Sequence, residues 1–250
     1  MIDIQTVKTR PAAVRVLTLS SGRVNALDVE LLNELTEALR ELERSGGEAL
    51  VVTGAEQVFC AGVDLNRVLQ GGADYTDRLV PALSDAFDAM FSYPGPTVAA
   101  INGGAIAGGC VLACACDRRL ISPEAQIGAT EVHVGVWFPV AALEVMRYAC
   151  GDHAEEVLLG GRVYRGAEAV ASRLAHRVVD RGLSEAAVAE ASSLGEIPPD
   201  AYQQTKAQLR GPTLARMRNS GDIDTKVRQM WGTDRTRERI AAFLERLRQR

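Results

Sequence analysis

The 28 residues at 89–116 carry no charged side chain, and no other feature of the sequence restricts the fold as tightly. A run of that length is enough to cross a bilayer as one helix. This one contains Pro94, Pro96 and Asn102, with glycines at 95, 103, 104, 108 and 109. Proline and glycine break a helix at such positions, so the run reads as strand, turn and buried helix. Composition agrees, because 47% hydrophobic and 24% charged residues in a 250-residue chain exclude a collagen-like or wholly disordered polypeptide. The length predicts one large domain with an appendage.

The buried strand falls at 97–101 and the buried helix runs from Gly108 to near Asp117. Before them, β-rich stretches at 2–7 and 14–19 predict two strands. Leucines at 27, 31, 35, 39 and 42 repeat near 3.6 and predict an amphipathic helix over 27–42, with Asp28 and Glu30 in its first turn at the positive end of the dipole. The apolar run at 49–53, stopped by Gly54, predicts a strand buried on both faces. A polar stretch with Gly71 and Gly72 leads to a second helix over about 76–91. Further strands are expected at 119–122 and 126–128. Beyond about residue 140 the pattern is helical, at 141–149, 153–159, 166–174, 184–194 and 200–210. Strands alternating with helices give the α/β class with parallel pairing. Pro198-Pro199 is the expected hinge, dividing a core at 1–197 from a helical region at 198–250.

Net charge is only −4, too mild to imply nucleic acid as a partner. It is unevenly spread: residues 201–250 hold 12 Lys and Arg against 5 Asp and Glu, a balance of +7 that leaves −11 for the first two hundred. Five cysteines occur with no C-x-x-C pair, so they read as small buried residues in a reducing compartment and signal no metal site. The N-terminus lacks a basic stretch followed by an apolar one, and a cytoplasmic location without membrane attachment is expected.

Two segments share a pattern of buried strand, small residues and helix: VFCAGVDL at 58–65 and NGGAIAGGC at 102–110. Small side chains let a ligand approach the backbone, and free N–H groups at a helix start favour negative charge. Two such loops converging would offer two donors to one developing oxyanion, each worth on the order of 3–4 kcal/mol of barrier. The same pattern also serves plain packing. G-x-G-x-x-G, the P-loop, H-E-x-x-H and G-x-S-x-G are all missing, which removes nucleotide hydrolysis, zinc proteolysis and serine hydrolysis as readings.

In order and spacing, RVNAL at 23–27, FCAGVDL at 59–65, AING at 100–103 with AGGC at 107–110, and IGATEVHVG at 127–135 resemble the crotonase family, the enoyl-CoA hydratase/isomerase superfamily. The resemblance covers nearly the whole chain. It implies a spiral of ββα units, a C-terminal helical trimerisation region, a homotrimer or dimer of trimers, and a thioester substrate carried by coenzyme A, with no further cofactor and no metal. By motif position the oxyanion donors would be the backbone amides of Val63 and Gly108. Coenzyme A would lie along Arg23, Ala26, Ala61, Gly62, Asp64 and Leu65. Asp64 is equally read as a helix cap.

Family hydratases set two glutamates over the substrate. The first position is Val111 here, which cannot exchange a proton, while the second is kept as Glu131. That departure argues against efficient hydration and leaves isomerisation open, because one base can take a proton from C2 and return it to C4. In this the sequence is similar to Δ3,Δ2-enoyl-CoA isomerases. Apolar neighbours predict a raised Glu131 pKa. A hydratase with a non-standard second acid/base, and a non-catalytic acyl-CoA-binding protein, stand as alternatives.

His133 would share a face with Glu131 if that stretch were extended; a core or surface histidine is the plainer reading. Trp137 and Phe138 line either an acyl pocket or the core. His153 and His176, in expected helices, receive no chemistry. WGTD at 231–234 resembles a family segment in which an aromatic residue, here Trp231, closes the substrate pocket. The arginines behind it and Lys206 face either the phosphates of coenzyme A or solvent and a subunit contact.

Overall fold

A computed structural model describes residues 1–10 and 12–249. The chain opens with an antiparallel pair, β1 (Ile2–Val7) and β2 (Val14–Leu19), followed by α1 (Val29–Arg44), β3 (Ala49–Gly54), α2 (Leu65–Ser92) and β4 (Thr97–Ile101). Then come β5 (Ala105–Ile106), α3 (Gly108–Ala115), β6 (Arg118–Ile121), β7 (Gln126–Gly128), α4 (Glu131–Val134) and α5 (Val140–Cys150). The remainder is α6 (Ala154–Gly160), β8 (Tyr164–Arg165), α7 (Gly166–Ala171), β9 (Arg177–Val178) and α8 (Leu183–Leu194). It closes with α9 (Pro199–Arg218), α10 (Gly221–Trp231) and α11 (Asp234–Arg248).

The main sheet has six strands in the order β1-β2-β3-β4-β6-β9, parallel from β2 onward. Its register follows the apolar pattern of the strands. Leu50, Val52, Ala99 and Ile101 face the large core under α1, α2 and α3. The alternate residues Val51, Val98, Ala100 and Leu120 face a smaller core closed by Ala187 and Ala191 of α8. Both faces are therefore covered, as continuous apolar strands require. A second sheet, β5-β7-β8, sets Ala105 against Ile127 and Ile127 against Tyr164. It carries the segment that leads into α4. All five cysteines are buried and free. Among the described residues no helix is long and apolar enough to cross a membrane.

Three expectations change. The polar stretch before residue 76 is helical: α2 starts at Leu65 because the Asp64 carboxylate accepts the amides of Asn66 and Arg67. Gly72, at φ 57° and ψ −146°, kinks the helix without ending it. Asp28 is the N-cap of α1, where its carboxylate accepts the Leu31 amide at 2.8 Å, and it precedes the first turn. His176 lies in the loop before β9, outside any helix, and its Nδ1 accepts the Arg119 amide at 3.0 Å.

The basic C-terminal region is locked to the core through one buried carboxylate. Asp117, just before β6, accepts Lys206 Nζ at 2.8 Å, Arg210 Nη2 at 2.7 Å, the Tyr202 hydroxyl at 3.0 Å and the Thr97 amide at 2.8 Å. Burial would raise its pKa, but Lys206 and Arg210 outweigh burial and hold the carboxyl below its ordinary range. Lys206 also donates to the Gly95 carbonyl at 2.9 Å, so it is not free to meet a phosphate. Pro199 begins α9, where its missing N–H removes no hydrogen bond.

Candidate active site

The two glycine-containing loops meet edge to edge. The Cys60 amide donates to the Gly104 carbonyl at 2.9 Å, and the Ile106 amide donates to the Cys60 carbonyl at 2.9 Å. On its other side the first loop is stitched to the 23–27 segment. Ala61 donates to Val24 at 3.0 Å, Leu27 to Gly62 at 2.8 Å, and Asp64 to Leu27 at 3.0 Å. These bonds occupy the amides around Val63 and leave its own amide without an acceptor among the described residues. Gly108 is the first residue of α3, and its amide is one of the donors a helix start always leaves over.

Contact this close is possible only without side chains. A Cβ on Gly62 (φ 85°) would lie 2.8 Å from the Ile106 carbonyl oxygen and 3.3 Å from the Gly108 nitrogen. One on Gly109 would lie 2.2 Å from the Cys60 carbonyl oxygen. Ala107, between the loops, is held at φ 52°, a conformation L-residues adopt only when their surroundings enforce it.

Val63 and Gly108 open into a cavity of about 1070 Å³. Glu131 lines it from the first position of α4, and among the described residues it is the one carboxylate that does. Its Oε2 is sealed from solvent and has no hydrogen-bond partner. Desolvation pushes its pKa up to about 8, against a small lowering by its own backbone amide. Val111, wholly buried on α3, lines the same cavity.

The other expected site residues divide. Ala61, Leu65 and Trp231 line the cavity with Val63 and Gly108, and Trp231 Nε1 donates to the Trp137 carbonyl at 2.9 Å. Trp137 and Phe138 also line it. Gly62 stands behind the lining as the spacer between the loops. The side chain of Asp64 is spent on capping α2. Arg23 is exposed and Ala26 half-buried beside the first loop, both outside the lining. His133 lines the cavity, but α4 is helical and not extended, so residues two apart do not share a face with Glu131. Among the arginines behind Trp231, Arg246 reaches the cavity.

Sequence reasoning missed Phe243 and Leu247 as lining residues and did not single out Leu83, Phe87 and Ala142. For α11 a signal existed: Ile240, Phe243, Leu244 and Leu247 recur at helical spacing on one face of an otherwise charged segment.

The family model described as enoyl-CoA hydratase/isomerase matches residues 9–250. A Thermus thermophilus protein named for enoyl-CoA hydratase is 37% identical over 192 residues, covering 75% of this chain and 76% of that protein. The human protein named enoyl-CoA delta isomerase 1, mitochondrial, is 28% identical over 245 residues, covering 95% of this chain and 81% of its own. The crystal structure of human mitochondrial Δ3-Δ2-enoyl-CoA isomerase superposes with a TM-score of 0.91 at 27% identity, covering 98% of both chains.

Proposed function

Because the chain belongs to the enoyl-CoA hydratase/isomerase family, we propose that it moves a double bond in an enoyl-CoA from the 3 to the 2 position, with Glu131 as the single proton carrier. The observation that carries this reading is the lone carboxylate: Glu131 lines the cavity with its Oε2 buried and unpartnered, while Val111 fills the place of a second acid. Hydration must deliver a hydroxyl to C3 and a proton to C2, a task suited to two groups. Isomerisation returns the proton it removed.

In this reading the thioester oxygen accepts the amides of Val63 and Gly108. The Glu131 carboxylate takes a proton from C2, and the electron pair of that C–H bond spreads over a dienolate whose negative oxygen rests on the two amides. The same proton is then delivered to C4, the double bond settles between C2 and C3, and the carboxylate is restored. Apolar walls suit both halves, since a carboxylate poorly solvated in its charged form is a stronger base. Coenzyme A lies along the loop at 61–65 beside Arg23 and Ala26, and Arg246 is the cation that meets its phosphates.

The test follows 3-hexenoyl-CoA to 2-hexenoyl-CoA for the parent and Glu131→Gln. Expected is a loss of turnover on the order of a thousandfold or more with thioester affinity kept, a general base being worth about 10²–10⁴. In the parent, kcat should rise with pH and level off above about 8, where the base is ionised. Unchanged turnover in Glu131→Gln removes that residue from the mechanism. Hydration is the second reading, favoured by His133 on the cavity wall. It is established if the parent hydrates crotonyl-CoA faster than it isomerises 3-hexenoyl-CoA.

A further inference from the structure

We infer that Asn25, in the turn before α1, is the residue that positions the Val63 amide: it fixes the backbone on which the first loop lies, without touching substrate itself. The inference rests on the acyl-thioester reading above. Asn25 is 2% exposed and held at φ 51°, a left-handed conformation that, glycine apart, mainly asparagine and aspartate adopt. Its Oδ1 accepts the Ser21 amide at 2.9 Å. Its Nδ2 donates to the Val58 carbonyl at 2.8 Å, with the Phe59 carbonyl behind it at 3.5 Å. These partners fix which way the side-chain amide lies, since its oxygen alone can receive an N–H and its nitrogen alone can serve carbonyls. No other donor among the described residues reaches the Val58 carbonyl.

That grip lies upstream of Val63, and the bonds that follow carry it forward. Val24 and Leu27, on either side of Asn25, hold the Ala61 amide, the Gly62 carbonyl and the Asp64 amide, and Leu27 pairs with Val63 as a parallel bridge. In an extended strand alternate residues face the same way, yet Ala61 and Asp64, at odd spacing, both turn their amides to the 24–27 segment. Gly62, at φ 85° between them, breaks the alternation, and the Val63 amide next to Asp64 is turned the other way. The segment leading into the loop is tightly backed. A Cβ on Gly54 would lie 1.8 Å from the Val58 carbonyl oxygen, and one on Gly103 would lie 1.8 Å from that of Gln57. Asn102 ties the start of this segment, donating to the Gly54 carbonyl at 2.7 Å and the Glu56 carbonyl at 3.0 Å. Asn25 ties its end, where the loop begins.

The test is the infrared difference spectrum of hexanoyl-CoA labelled with ¹³C at the thioester carbonyl, bound to the parent and to Asn25→Gly, alongside kcat and KM for 3-hexenoyl-CoA. Glycine keeps the left-handed turn and removes the side-chain donor. In the parent the carbonyl band should move to lower frequency, because two amide donors polarise it. Asn25→Gly should lose most of that shift. Its turnover should fall about a hundredfold at nearly constant KM, the effect of a displacement near 1 Å at reacting groups. The rise of kcat with pH should keep its parental midpoint, because the substitution moves a donor and leaves the base alone. If Asn25→Gly fails to fold, Asn25→Asp keeps the size, the turn and the acceptor for Ser21 but offers Val58 no donor, and it should lose the shift likewise. A full carbonyl shift in the folded variant, a displaced pH midpoint, or lost affinity at constant kcat overturns the inference alone. A parent that leaves the band unshifted overturns the oxyanion reading and the inference with it. A shift present in the parent and lost in the variant, with no isomerisation by either, supports the inference and overturns the isomerase reading alone.

Discussion

Glu131→Gln should stabilise the protein against unfolding at alkaline pH while leaving it nearly unchanged in acid. The carboxyl titrates near 4.5 in the unfolded chain and, desolvated in the cavity, near 8 in the folded one. A carboxyl whose folded pKa is raised binds its proton more tightly in the native state. Its contribution is therefore whole below about pH 4.5 and is lost as pH climbs toward 8, where the unfolded chain ionises freely and the native one resists. At about 1.4 kcal/mol per pH unit, the parent should lose roughly 3 kcal/mol between pH 5 and pH 8 through this one group. Glutamine has no proton to lose. Whatever its amide costs inside the cavity is the same at both pH values and cancels from the difference. Urea titrations of both proteins at pH 5 and pH 8 give four free energies. The Gln variant should gain roughly 3 kcal/mol on the parent between them, seen also as a melting-temperature shift of about 6–12 °C at pH 8. If the double difference stays under about 1 kcal/mol, Glu131 ionises as a solvated carboxyl does. The desolvation argument for its basicity then fails with it.

Two other substitutions test the framework around the site. Asp117→Asn leaves Lys206 and Arg210 buried without a counter-charge and should cost about 3–5 kcal/mol of stability by denaturant titration. Because the Asp117 pKa is depressed, the parent should lose stability as pH falls through the folded value, and the Asn variant should not show that acid limb. Gly62→Ala must fit a methyl group 2.8 Å from the Ile106 carbonyl at φ 85°, pushing the two loops apart. Turnover of 3-hexenoyl-CoA should fall about a hundredfold with KM little changed, since a displacement near 1 Å at reacting groups has about that effect. A fall in affinity at constant kcat would place Gly62 in binding rather than in donor geometry.

The parallel sheet was legible because strands buried on both faces leave continuous apolar runs, as at 49–53 and 97–101, and strands so marked fell where expected. The short β8 and β9 were not legible. With two residues each, they are defined by partners in β7 and β6 and by no pattern of their own. The start of α2 was hidden by Gly71 and Gly72, whose weak helix propensity is overridden by the Asp64 cap and by packing on α1. At the site, Glu131, Val63 and Gly108 could be named from motif order, yet their convergence depends on backbone contacts that leave no trace beyond glycines at 62, 108 and 109. Lys206 shows the opposite failure. Its sequence neighbourhood looks like a basic surface, and only the approach of Asp117 from 89 positions away reveals it as buried.

The apolar wall explains the lone carboxylate and its raised pKa together. A second glutamate at 111 would lie on α3, three residues past Gly108, in the cavity that Glu131 already lines. Two like charges there would drive each other's pKa upward, and at neutral pH the second carboxyl would stand protonated, unable to orient water as a base. Valine at that position keeps desolvation acting on Glu131 alone. Val111→Thr tests this, because one added hydroxyl on the cavity wall should move the alkaline limb of the kcat profile to lower pH.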